Sequence, residues 1–235
     1  MEDMPQTTRD ATRTRPAVTV SYAQTLDGRL ATSSGSSQWI SCPESLRYAH
    51  SLRAEHDAVM VGVGTARADD PRLTVRHVSG DDPLRVVVDS TLRTPLEAAV
   101  IADGAAGGTV FAATARAPEE RRAELRALGA RVLLLPEDGR GRVELRALLE
   151  ALDGMGVGLV MVEGGAELIT AFLRERLVDR LCVCIAPKIL GRGIEAVGDL
   201  GIGSLDDSLV LADPSITRCG SDLILESTIE YPDAH

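Results

Sequence analysis

The sequence predicts an α/β fold: a mostly parallel central sheet, helices on both faces, and antiparallel strands at a C-terminal edge. Three observations predict it. Short apolar runs of strand length alternate with amphipathic helical segments through most of the chain. The runs at 57–63, 84–90 and 158–163 are apolar and rich in Val, as in buried strands. The tail from Ile216 to Glu230 turns about Gly220-Ser221-Asp222, which adds an antiparallel pair. No internal repeat is visible, and no linker is long enough to split the chain. The expectation is a polar, disordered tail over 1–15 and a single domain over 16–235.

Taken in order, Ala17 to Ala23 alternates and reads as the first strand, closed by the Asp27-Gly28 turn. Arg29 to Ser37 is rich in Ser, Thr and Gly and reads as a mobile loop leading to Trp39, the only tryptophan. Trp39 suits either the core or a flat contact with a ring. Pro43 to Glu55 is a helix with Ser41 or Cys42 near its cap; Leu46, Ala49 and Leu52 form its apolar stripe. Asp57 to Val63 and Leu84 to Ser90 are strands. Thr109–Thr114, Ala130–Leu135, Gly158–Glu163 and Asp179–Ile185 complete the set. Between them lie helices at 118–128, with Gly129 just past its end, at 143–152 and at 166–176. Leu168, Ile169, Phe172 and Leu173 give the last of these its buried face.

Charge and composition exclude several classes. The net charge of −10 disfavours nucleic acid, which demands a basic face. No apolar run is long enough to span a bilayer, and the first 15 residues lack an apolar signal core, so cytoplasmic residence is the expectation. Aromatics make up only 3%, so the core must be built from Val, Leu, Ile and Ala. The four cysteines form no C-x-x-C pair and the four histidines no H-x-x-x-H, so no metal is expected.

Two stretches suit a ligand. The first is Gly62-x-Gly64-x-x-Arg67, continuing through Asp69 and Asp70 to Arg76. It follows a strand, and its glycines permit close backbone approach. Thr65 is placed to cap a short helix or turn that Pro71 ends. The same pattern also fits an ordinary strand-to-helix connection, since the third glycine of a dinucleotide fingerprint is missing. The second stretch is Glu163-Gly164-Gly165 between a strand and a helix. The free N–H groups and positive end of that helix suit a pyrophosphate. Glu163 points to the same mouth, either to hydrogen-bond a sugar or a pyrimidine edge or as a solvated carboxylate. Arg53, near a helix C-terminus, is either a favourable helix-end cation or an anion ligand.

These residues occur together with Ser21-Tyr-Ala-Gln-Thr-Leu-Asp-Gly-Arg29, Ser37-Gln-Trp-Ile40, Leu52-Arg53, Gly64 to Arg76, Val88-Asp-Ser90, Val162-Glu-Gly-Gly165 and Ile185-Ala-Pro-Lys-Ile-Leu-Gly191. The set resembles the riboflavin-pathway pyrimidine reductases over residues 17–230. That family comprises the stand-alone archaeal and fungal 2,5-diamino-6-ribosylamino-pyrimidinone 5′-phosphate reductases and the reductase half of the bacterial bifunctional deaminase–reductase. The resemblance implies a dihydrofolate-reductase-like fold, a homodimer and NADPH as cofactor. It implies NADPH contacts at Ala23, Trp39, Thr65, Asp69, Ser90 and the helix start from Gly165 through Ala166, Glu167 and Leu168. It implies contacts to a small phosphoribosylamino-pyrimidine at Ser37, Arg53, Leu73, Arg76 and Glu163. The implied reaction is hydride transfer to C1′, turning ribosylamino into ribitylamino, with Glu163 as the candidate catalytic group and water as the other proton source.

The chain lacks the H-x-E and P-C-x-x-C of a cytidine-type deaminase, so deamination is not expected. Ser21 stands where bacterial bifunctional members tend to carry lysine, which favours the diamino substrate. A relative acting on another imine or carbonyl in secondary metabolism, and a non-catalytic NADP-binding module, are the alternatives.

Overall fold

The structure is a computed structural model that describes residues 14–38, 40–102 and 104–232. The chain runs through β1 (Ala17–Thr25), β2 (Arg29–Thr32), α1 (Pro43–Glu55), β3 (Ala58–Gly62), α2 (Val63–Ala68), β4 (Leu84–Val88), β5 (Thr109–Ala113) and α3 (Glu119–Ala127). It continues through β6 (Arg131–Leu134), α4 (Leu145–Asp153), β7 (Leu159–Gly164), α5 (Ala166–Arg174), β8 (Arg180–Ala186), β9 (Gly193–Glu195), β10 (Val210–Cys219) and β11 (Asp222–Glu230). The main sheet has nine strands in the order β10-β11-β8-β1-β7-β3-β4-β5-β6. From β8 to β6 every neighbouring pair is parallel. β11 pairs antiparallel with β8, and β10 antiparallel with β11.

Strand alternation divides the interior into two cores. Ala58 and Met60 of β3 join Val160 and Val162 of β7 on one face, under Leu148, Leu149 and Leu152 of α4 and Ile169 and Phe172 of α5. Val59, Val61 and Met161 face the other way, toward Leu52 of α1, Ala66 of α2 and Leu125 of α3. Successive Cβ atoms of a strand point to opposite faces, so a strand covered by helices on both sides must be apolar throughout.

The structure corrects several local expectations. The segment read as a mobile loop contains β2, which pairs antiparallel with β9 in a separate two-stranded sheet. The α1 stripe is shifted: Ser45, His50 and Leu52 are its buried residues, Ala49 is half-buried, and Leu46 is exposed. The N-cap of α1 is Cys42, and no side chain caps it. Thr65 does not cap α2. Gly62 holds that position, and Thr65 lies inside the helix, its carbonyl accepting from the Asp69 amide at 3.0 Å. β10 begins at Val210, six residues before the expected hairpin. Arg15, placed with the tail by the sequence reading, donates from Nη1 and Nη2 to Asp179 at 2.7 and 3.0 Å. Residues 1–13, where the rest of the expected tail falls, lie outside the described residues.

Candidate active site

An open cavity of about 1490 Å³ lies at the carboxyl ends of β1, β3, β4 and β7. This is where parallel α/β sheets bind ligands, because loops diverge there and leave a crevice. Its wall includes Ala23, Ser37, Thr65, Asp69, Ser90, Glu163, Gly165, Ala166, Glu167 and Leu168. These residues are far apart in the chain, and the strand order brings them together. Trp39 lies outside the described residues.

Two glycine turns meet at the cavity floor. β3 and β7 are neighbours, so the turn into α2 lies against the turn into α5. A Cβ placed on Gly165 would come within 2.9 Å of Thr65 Oγ1, whereas one on Gly64 would meet nothing within 4 Å. Gly165 is the N-cap of α5 and no side chain caps it. The Leu168 amide donates to the Gly165 carbonyl at 2.9 Å, which leaves the N–H groups of Ala166 and Glu167 available to a ligand. On one side of this turn, Ser37 Oγ donates to Asp69 Oδ1 at 3.4 Å. Asp70 turns away, with Oδ1 accepting from the Ala99 amide at 2.7 Å. On the other side, Ser90 Oγ accepts from the Val143 amide at 3.2 Å, which ties the loop before α4 to the end of β4.

Glu163 stands in the cavity wall and is held from behind by Arg53. Arg53 Nε donates to Oε1 at 2.5 Å and Nη2 donates to Oε2 at 2.8 Å, a two-pronged ion pair. Arg53 Nη1 also donates to the Thr74 carbonyl at 2.9 Å. Three nitrogens of the expected anion ligand are thus engaged inside the protein. Arg53 and Arg76 are absent from the cavity wall, as is Leu73. Leu73 is 0% exposed and belongs to the core, so its side chain presents no surface to a ligand in this structure. Arg76 is exposed, and Nη1 donates to Thr74 Oγ1 at 3.1 Å. Partial burial, then the charges of Arg53 and Arg72, push its pKa down from the ordinary arginine value. Like charges crowd here, an arrangement that an anion would relieve. Ser21 is 9% exposed and lies outside the cavity wall.

The cavity also contains residues that the sequence did not single out. Tyr22 lines it, and burial pushes its phenol up to about 12, so the hydroxyl stays protonated. Leu46, the exposed member of the expected α1 stripe, lines it as well. Ile194 of β9 closes the far side, reached only through the β2–β9 pairing. Arg93, Arg140 and Arg142 also line the cavity, with Arg142 Nη1 3.4 Å from Glu167 Oε2. Two of these arginines are visible in sequence as Arg-Gly-Arg after Asp138-Gly139, and the Ser90–Val143 bond ties that loop to the end of β4. Among the described residues no group of three or more His, Cys, Asp or Glu is arranged to hold a metal.

A family model described as the RibD C-terminal domain matches residues 16–225. The chain is 46% identical over 222 residues to the 2,5-diamino-6-ribosylamino-4(3H)-pyrimidinone 5′-phosphate reductase of Methanothermobacter thermautotrophicus, covering 92% of this chain and 99% of that protein. It is 41% identical over 215 residues to the riboflavin biosynthesis protein RibD of Aquifex aeolicus, covering 91% of this chain but only 58% of that longer protein. Among solved structures, Acinetobacter baumannii RibD superposes with a TM-score of 0.80 at 28% identity, over 92% of this chain and 58% of the other. Dihydrofolate reductase from Enterococcus faecalis superposes at 0.53 and 12% identity, over 92% and 97%, which establishes the dihydrofolate-reductase-like fold.

Proposed function

This chain belongs to the RibD C-terminal domain family, and on that footing we propose that it is an NADPH-dependent reductase of a phosphoribosylamino-pyrimidine. The observation that carries the reading is the single cavity in which an uncapped helix start and an Arg-held carboxylate face the same space. The cavity is large enough for a dinucleotide beside a small substrate. The helix start from Gly165 to Leu168 would receive the pyrophosphate, chiefly on the free N–H groups of Ala166 and Glu167. Thr65, Asp69, Ser90 and Ala23 would contact the rest of the cofactor, and Arg93, Arg140 and Arg142 would take the 2′-phosphate that separates NADPH from NADH. When bound, NADPH supplies the hydride.

The substrate is a ring-opened ribosyl imine. A new C–H bond forms at C1′, the C=N π electrons pass to nitrogen, and nitrogen gains a proton. The protein's contribution is to hold the two reactants in contact and exclude water from the carbon. Both Glu163 oxygens already accept from Arg53. Each has a further lone pair, with which Glu163 would hold the substrate's amino or hydroxyl groups while solvent delivers the proton. Ser37 would lie against the pyrimidine, and Arg53 and Arg76 would form the positive flank for its phosphate. The diamino form is the favoured substrate, supported by the full-length likeness to the archaeal enzyme. A homodimer would form at the free edge of β10, supported by the exposed Val210 and Ile216 with Leu223 of β11. Cytoplasmic residence belongs to the same proposal; no helix among the described residues is long and apolar enough to cross a membrane.

The test is to mix the protein with NADPH and each pyrimidine intermediate and follow the loss of nicotinamide absorbance. Turnover of the diamino compound is expected. Tight NADPH binding with no turnover of either would leave a binding module. Glu163→Gln is expected to lower kcat/KM by about a hundredfold, roughly 2.7 kcal/mol, while the parent's pH profile lacks a limb that Gln removes. A limb lost in the variant would make Glu163 the proton donor instead.

A further inference from the structure

His50 does not line the cavity and is 0% exposed. Its Nδ1 accepts from the Arg76 backbone N–H at 3.0 Å. His50 lies one helical turn before Arg53 on α1, so the two side chains leave the helix on one face. Arg53 takes the carbonyl of Thr74, and His50 takes the amide of Arg76. The two bonds therefore hold the backbone of 74–76 against α1 through side chains. The intervening Val75 amide points away and donates to Asp82 Oδ1 at 2.7 Å. The segment is gripped on both sides, yet the Arg76 side chain it carries is exposed.

We infer that His50 is a positioning residue for substrate: by fixing the backbone of Arg76 it sets where that guanidinium meets the substrate's phosphate. This rests on the reading of Arg76 as a phosphate ligand. Because Nδ1 accepts, the neutral ring carries its hydrogen on Nε2. Burial first, then the charges of Arg53, His77 and Arg76, lower the ring's pKa to about 4, so the acceptor is present at neutral pH. The ring of His77 stands edge-on to His50 with centroids 4.5 Å apart, and the buried Nε2 has no hydrogen-bond partner among the described residues.

The test compares His50→Phe, which keeps a planar ring without an acceptor, with His50→Asn, whose Oδ1 replaces Nδ1. His50→Phe is expected to raise KM for the phosphorylated pyrimidine about tenfold, with kcat and the NADPH KM within about twofold of the parent. His50→Asn should restore the parent KM to within about threefold. With the dephosphorylated substrate, all three proteins should have the same KM. A rise of equal size for both ligands, or one that persists without the phosphate, would overturn the inference and make His50 a packing residue. So would failure of His50→Phe and His50→Leu to fold while His50→Asn folds. A parent whose KM ignores the phosphate would instead remove Arg76 from the phosphate site, and that outcome is read before any variant is made.

Discussion

Gly164 and Gly165 serve different needs. Gly164 has φ of +132°, a region that side-chain-bearing residues rarely adopt, and Gly165 has φ of −81°, which any residue adopts. Conformation requires glycine only at 164, and space requires it at 165, where Thr65 Oγ1 is close. Gly164→Ala is expected to cost about 1–3 kcal/mol, read as a shift in denaturation midpoint. Gly165→Ala gains about 0.4–1 kcal/mol by restricting the unfolded chain and loses about 1–3 kcal/mol to overpacking. The net is a small destabilisation. In a Thr65→Ala background the clash is gone, so the same change should become neutral or stabilising. A double-mutant cycle showing no coupling between 65 and 165 would remove this contact from the account.

At the scale of elements, α5 shows how a site can be built on a rigid support. Its first turn faces the cavity, and Ile169 and Phe172, both 0% exposed, face the core with α4. The helix presents its N–H groups because its other side is locked down. Phe172→Ala is expected to cost about 3–5 kcal/mol in urea denaturation, and to weaken cofactor binding only in proportion to the fraction unfolded. α1 teaches the opposite lesson. Its sequence pattern predicted a stripe of Leu46, Ala49 and Leu52, but a polar residue, His50, is fully buried and Leu46 is outside. Hydrophobic period alone cannot anticipate a buried imidazole whose Nδ1 accepts from a backbone amide 26 residues away.

For the whole molecule, two buried imidazoles set a pH dependence. His50 falls from 6.5 in the unfolded chain to about 4 in the folded one, chiefly through burial. His56 is also lowered, again first by burial, and its rings bond to the Leu52 carbonyl at 2.6 Å and Thr19 Oγ1 at 2.9 Å. Between the two values the unfolded state binds protons that the folded state refuses. Stability therefore falls as pH drops from about 6.5 toward 4, and His50 adds no further slope below that. Asp27, lowered to about 2 mainly by the Thr25 hydroxyl, acts only below the ordinary carboxylate value of 3.8. Thermal melts from pH 7 to 4 should show the decline, and His50→Asn should flatten it. A melt independent of pH over that range would contradict the buried, neutral assignment. The free β10 edge makes a second expectation at this scale: if the proposed dimer forms there, light scattering should give a dimer for the parent and a monomer for Ile216→Glu.

The sequence by itself determined the strands and helices of the sheet, because a strand covered on both faces must be apolar along its whole length, and runs such as 58–62 and 159–162 have no other stable use. It also marked the turns at 62–65 and 163–165, since glycine at a strand end before a helix is a local signal. The strand order, and with it everything about who faces whom, was decided only in the tertiary structure. Pairing β3 with β7 brings Gly165 to Thr65, pairing β2 with β9 brings Ile194 over the cavity, and α1 lying on its face of the sheet joins Arg53 to Glu163. Those contacts span from 100 to more than 160 residues of chain. No local pattern encodes them, because each depends on the free energy of packing the whole sheet, in which the individual pair is a small part.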